Sequence, residues 1–429
     1  MPEPTTAAPA PIFIVGSPRS GTTLLAAILG AHPDLDCGPE TRFFPWLADR
    51  DRTALLDPAG WPDAAAAFVC SLALRDAPVH ALFGVSPAEV RAWLAARPPS
   101  VAAMLEALTV QRMRAHGKTR WAEKTPRHLE ALAEIRRTWP DAAIVRVVRD
   151  PRDVALSTVK VPFARDSATV VLGTIARDEA RADRFCDADA GTCTIRYEDL
   201  LTDPEGTLRA VCATTGLAWD PALLDRRAAV ADLAAPHETW KQKAAEPLDP
   251  SRIGVWRTEM DPAVARFAAL HLRAHLRRYG YDGAEDPVGH VALVPVGRLA
   301  AVRSEPLVLA LAGAGFDIDE PVPLAPVEIA RREVCILWGQ AAQLELDLGR
   351  GATTRTRALA RLALDLLARR LRGRPALWVR RNTPRPLRRG DRGLAAAGIL
   401  LRLLARTTRP AEIPVALGIG GALAGSADE

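Results

Sequence analysis

The sequence has little lysine, no cysteine pair at metal spacing and no long apolar run. Only five of its 56 Lys+Arg residues are lysine, so arginine is the default cation along the whole chain. The six cysteines stand at 37, 70, 186, 193, 212 and 335. None forms C-x-x-C and no histidine pair accompanies them, which excludes a zinc module or a disulfide scaffold and leaves reduced, buried thiols. No apolar stretch reaches the roughly 18 residues of a membrane span, and the best late one, Leu394–Ala405, is broken by Arg402. The first eleven residues lack the basic start and apolar stretch of a signal peptide. A soluble, cytoplasmic protein is expected. With 48% apolar and 25% charged residues, a disordered chain, a collagen and a coiled-coil rod are excluded. The 429 residues fit one large or two medium domains.

What charge there is lies unevenly. The net charge is +5, yet the segment from Arg350 to Pro410 holds 17 Arg against Asp365 and Asp391, about +15, which leaves about −10 for the rest. Within it Leu359, Leu362, Leu366, Leu367 and Leu371 mark one apolar helical stripe. Such basic helices suit an anionic membrane surface or an acidic partner, or they pack on the acidic remainder of the same chain.

Pro11–Gly16 is a short β-branched apolar run, a buried-strand signal, and Thr22–Ala31 has helix composition. Further strands are expected at Ala142–Arg149 and Thr192–Tyr197. Helices are expected at Pro126–Trp139, Pro151–Lys160, Glu205–Thr215 and Pro262–Tyr279, the last capped by Gly280. This alternation predicts an α/β fold, a mainly parallel sheet flanked by helices. Beyond Pro287 the texture changes, so a domain 1–285 and an extension 286–429, helical and Arg-rich over 350–410, are expected.

Gly16-Ser-Pro18-Arg19-Ser20-Gly21-Thr22-Thr23 joins a strand to a helix with P-loop spacing. Amides at such a helix start are unpaired and attract anions. Thr22 occupies the place of the P-loop lysine, which argues against a kinase, and Arg19 puts a cation in the loop. Asp150, between Arg149 and Arg152, is a poor magnesium ligand, and no metal is expected. The site wants a phosphate-like dianion. In Arg149-Asp-Pro-Arg152-Asp153…Ser157 a second strand end opens a helix. Arg149 and Ser157 could grip another phosphate, or Arg149 could simply pair with Asp153.

Together these two elements resemble the sulfotransferases that use 3′-phosphoadenosine 5′-phosphosulfate (PAPS). The resemblance implies a P-loop-like three-layer fold. It places the 5′-phosphosulfate on Pro18–Thr23 and the 3′-phosphate on Arg149 and Ser157. Gly30-Ala-His-Pro…Cys37-Gly-Pro-Glu40-Thr-Arg42…Pro45 is similar to the tyrosylprotein branch, in which the Glu is the general base; here that is Glu40, 21 positions after Arg19. Glu123-Lys124-Thr125-Pro126 looks like the segment whose lysine, Lys124, meets the transferring group. Tyr197-Glu-Asp-Leu200 looks like a further cofactor-side segment, and Arg42 is the implied acceptor contact. The resemblance spans about residues 11–283. It departs at Trp46, where the branch has a peptide-binding arginine.

The implied reaction moves a sulfuryl group to an alcohol, sugar, phenol or peptide hydroxyl. It needs donors on the leaving oxygen, here the loop amides, Arg19 and Lys124, and a base, here Glu40. Glu40 could instead pair with Arg42 to stiffen a turn, and His32 and His128 are rival bases. Trp121 and Trp256 could stack on an adenine or sit in the core. A nucleotide-binding scaffold without turnover is the alternative function. No nucleic-acid partner is expected.

Overall fold

The computed structural model describes residues 10–74, 76–161, 166–225, 247–287, 289–296, 309, 312–313, 315–319, 334–339 and 377–380. Two compact units form, one of residues 1–166 with 174–258, the other of 167–173 with 259–429.

The first unit is built on five parallel strands: β1 (Ile12–Gly16), β2 (Leu35–Cys37), β5 (Arg120–Lys124), β6 (Ala143–Val148) and β7 (Thr192–Arg196). A two-stranded ribbon of β3 (Ala73–Leu74) and β4 (Ala77–Pro78) stands apart. The sheet order is β2-β5-β1-β6-β7, with β1 in the centre. Ile14 lies opposite Lys124 on one side and Val145 on the other.

The pleat divides β1 between two cores. Phe13 and Val15 pack with Trp121, Trp139, Ile144 and the aromatic group Phe43, Phe44 and Phe68. Ile12 and Ile14 pack with Leu25, Ile28, Val145, Val147 and Leu208. A strand buried on both faces reads as a continuous apolar run, which is why β1 and β6 show plainly in the sequence.

β5 does not. Its residues Arg-Trp-Ala-Glu-Lys are all buried, charged ones included. The expected helix Pro126–Trp139 is a 3₁₀ turn, Pro126–Ala131, followed by the helix Leu132–Thr138.

In the second unit the helix expected over Pro262–Tyr279 is divided at Leu272 into Pro262–His271 and Arg273–Arg278. Gly280 follows with φ 68°, the left-handed conformation of a helix-ending glycine. Asp317 accepts from Arg273 and pairs with His271. A separate parallel sheet has the order β11-β10-β8-β9. Its strands are β8 (Gly289–Val296), β9 (Phe316–Asp319), β10 (Val334–Gly339) and β11 (Leu377–Arg380). The expectation of a helical 350–410 therefore needs correction at Leu377–Arg380. Leu377-Trp-Val-Arg has strand composition. The rest of that stretch lies outside the described residues. No described helix is long and apolar enough to cross a membrane.

Candidate active site

All five strands of the first sheet deliver a group beyond their C-terminal ends, where parallel α/β sheets bind ligands. β1 runs into the loop Gly16–Gly21, β2 leads to Glu40, and β5 ends on Lys124. β6 is followed by Arg149, and β7 by Tyr197.

The loop is held in a conformation that few residues adopt. Gly16 has φ 156°, Arg19 73° and Gly21 98°. A Cβ on Gly21 would overlap the Tyr197 ring, and one on Gly16 would strike the Val147 carbonyl. Arg19 has no such freedom, so its left-handed backbone is a strained position at a functional loop. Ser20 N–H donates to the Ser17 carbonyl (3.1 Å), and Ser17 Oγ donates to Glu179 Oε1 (2.5 Å). Glu179 and Asp183 in turn pair with the fully buried Arg146 of β6. Helix Thr22–Gly30 begins with no side-chain cap and no acidic residue in its first turn. Its leading amides and dipole are thus offered to an anion. Ser20 Oγ is buried and has no hydrogen-bond partner among the described residues.

Arg19 joins the two phosphate-directed motifs. Its Nε donates to Ser157 Oγ (3.2 Å), while its carbonyl accepts from Arg149 Nη1 (3.2 Å). Arg149 lies over the Tyr197 ring, 4.4 Å from its centre, and also donates to the Arg252 carbonyl (3.1 Å). Burial first, then the charges of Arg149 and Arg252, lower the pKa of Arg19. Three guanidiniums converge where a polyanion would be welcome.

Arg252 was not singled out in the sequence, and in a chain with this much arginine nothing marks it. Asp153 places it. The Asp153 carboxylate accepts from the amides of Gly254 (2.7 Å) and Trp256 (2.9 Å). Burial, despite these amides, raises its pKa. Asp150 caps the helix Pro151–Val159 and chelates Arg152.

Glu40 and Lys124 meet directly, Oε1 to Nζ at 2.7 Å, with Thr23 Oγ1 3.4 Å from the same ammonium. The structure thus gives Glu40 a lysine partner rather than the Arg42 partner considered above. Lys124 is fully buried and Glu40 is 13% exposed. The lysine lies beneath the floor, and the carboxylate opens to the cleft.

That cleft measures about 800 Å³. Of the expected residues, Pro18, Arg19, Gly21, Thr22, Thr23, Glu40, Arg42, Arg149, Ser157 and Tyr197 line it, while Ser20 and Lys124 sit behind its surface. Trp46 and Pro45 also line it.

The rival groups are occupied elsewhere. His32 accepts the Asp34 amide at Nδ1 and faces the Ala218 carbonyl through Nε2. His128 is buried between Glu123 and the Phe44 amide. Trp121 packs edge-on to Phe13 in the core, and Trp256 lies under Arg152.

The model of the Sulfotransferase family matches residues 11–221. Protein-tyrosine sulfotransferase 1 of Danio rerio is 25% identical over 299 residues, 64% of this chain and 73% of that protein. Nodulation protein NoeE of Sinorhizobium fredii is 30% identical over 234 residues, 49% of this chain and 50% of that protein. Among solved structures, a sulfotransferase domain from the Synechococcus PCC 7002 olefin synthase matches at a TM-score of 0.41 and 23% identity. It covers 60% of this chain and 91% of that domain. On the family model and the sequence relatives, residues 11–221 match the sulfotransferase family, enzymes that transfer a sulfuryl group to a hydroxyl acceptor.

Proposed function

We propose that this cleft takes PAPS as donor and a phenolic hydroxyl as acceptor. The observation that carries the reading is the Glu40–Lys124 pair beside Thr23, at an uncapped helix start. The unpartnered Ser20 hydroxyl and the three converging arginines fit a doubly phosphorylated nucleotide. The amides of Gly21–Thr23 and the Arg19 side chain would hold the 5′ end, and Arg149, Ser157 and Arg252 the 3′-phosphate.

When bound, PAPS supplies the sulfuryl group, and the residues of this chain do the rest. Glu40 takes the proton of the acceptor hydroxyl as the new oxygen–sulfur bond forms. Arg19, Lys124 and the helix amides stabilise charge on the departing phosphate oxygen as the old one breaks. Trp46 and Pro45 give the acceptor an apolar wall on which a phenol ring can pack. The relatives named for protein tyrosine support the same choice.

Incubation with labelled PAPS and a panel of a tyrosine peptide, small phenols, alkyl alcohols and sugars tests this by mass spectrometry. Sulfated phenol or tyrosine is the expected product. Sulfation of sugars alone would overturn the acceptor class, and no transfer to any member would leave binding without turnover.

A further inference from the structure

Glu123 precedes Lys124 on β5, and the pleat turns it to the opposite face of the sheet. It is a fully buried carboxylate with four contacts. Oε1 accepts from Thr41 Oγ1 (2.8 Å), Thr125 Oγ1 (2.7 Å) and the Thr41 amide (3.3 Å), while Oε2 lies 2.7 Å from His128 Nδ1. The same group extends to the next three amides. Arg42 N–H donates to Thr125 Oγ1 (3.1 Å), Phe43 N–H to Thr41 Oγ1 (3.2 Å), and Phe44 N–H points at His128 Nε2 (3.4 Å).

Four consecutive backbone amides after Glu40 are therefore tied to one buried cluster, and its members come from two short motifs, Glu40–Phe44 and Glu123–His128. Burial alone would push the Glu123 carboxyl up. The His128 ring and the threonine hydroxyls outweigh it and hold the carboxyl below its ordinary range. Arg42 keeps a left-handed backbone, φ 52°, inside this arrangement. A helix start needs one side-chain cap. The start of Phe43–Ala48 is instead locked to the strand that carries Lys124.

We propose that Glu123, backed by His128, is a positioning residue that sets Glu40 against Lys124 by fixing the backbone of residues 41–44. This rests on the reading of Glu40 as the base.

A double-mutant cycle on the full chain separates the two ideas. Turnover of PAPS is followed with a single-tyrosine peptide and with water alone, and affinity for 3′-phosphoadenosine 5′-phosphate is measured by calorimetry. Glu123→Gln should lower kcat about 10- to 100-fold, the scale expected of a slightly misplaced group. KM for PAPS and nucleotide affinity should stay within about twofold, since the anion loop is untouched. The double variant Glu40→Gln/Glu123→Gln should be no slower than Glu40→Gln. Thr41→Val should repeat the kcat loss and Thr41→Ser should restore it; this pair decides if Glu123→Gln does not fold. Unchanged kcat in folded Glu123→Gln and Thr41→Val overturns the proposal. So does a Glu123→Gln loss that multiplies in full onto that of Glu40→Gln. Near-normal turnover of Glu40→Gln alone removes the base assignment itself and is recognisable as such.

Discussion

Glu40 and Lys124 are paired charges and, in the proposed function, neighbours of the reacting atoms, and this decides what their substitution does. On the proposed function Glu40→Gln removes the base, expected to slow turnover about 10²–10⁴-fold. It also removes the carboxylate 2.7 Å from a fully buried ammonium, a change that typically costs about 3–5 kcal/mol when one partner of a buried pair is lost. Both effects should therefore appear together: lost turnover with retained nucleotide binding by calorimetry, and a lower Tm. Exposure of Glu40 to the cleft puts the stability cost toward the lower end. Arg149→Ala acts elsewhere. It should erase the preference for 3′-phosphoadenosine 5′-phosphate over AMP, because only the former carries the 3′-phosphate that the proposed function assigns to Arg149, Ser157 and Arg252. Calorimetry that shows the preference intact would move the 3′-phosphate away from this arginine.

At the scale of elements, the loop Gly16–Gly21 depends on what lies behind it. Gly21→Ala should damage nucleotide binding even though it removes no polar group, since its Cβ would overlap Tyr197 and its φ is left-handed. Asp153→Ala should loosen Gly254–Trp256, and with it Arg252, so that nucleotide affinity falls while Glu40 chemistry is spared. Calorimetry and kcat at saturating PAPS read the two halves.

Legibility in the sequence follows burial chemistry. β1, β6 and the helices behind them announce themselves because strands covered on both faces must be apolar. β5 hides because its buried charges are satisfied by partners distant in the chain, Glu123 by Thr41 and Lys124 by Glu40. β2 hides because three residues are too short for a period. The anion loop, Glu40 and Lys124 were legible as motifs, whereas Arg252 and the Glu123–His128 cluster were not. Pairing across roughly eighty or a hundred positions leaves no local mark.

For the molecule as a whole, acid is the vulnerable side. Glu123 in the first unit is held below the ordinary glutamate value, about 4.3. In the second unit burial pushes Asp317 up, but His271 and Arg273 outweigh it and hold the carboxyl below its ordinary value, about 3.9. A depressed carboxyl stabilises the native state above its unfolded pKa and loses that contribution as pH falls through the native one. Urea unfolding should be nearly pH-independent from 7 to about 5 and weaken below about pH 4. Glu123→Gln should flatten part of that decline, and an equally steep decline would show that other carboxylates govern it.

The central place of β1 bears on biosynthesis. Its partners β5 and β6 lie more than a hundred residues later in the chain, and β7, which precedes Tyr197, later still. The anion loop is the first part of the site to leave the ribosome, yet nothing that shapes it has then been made. Until β5 and then β6, ending at Val148, have emerged, the strand that carries this loop is an apolar segment without its sheet neighbours, the kind of surface that chaperones cover. Nucleotide cannot act as a template for early folding here, because Arg149 and Arg252, which would hold it together with Arg19, are made long after the loop.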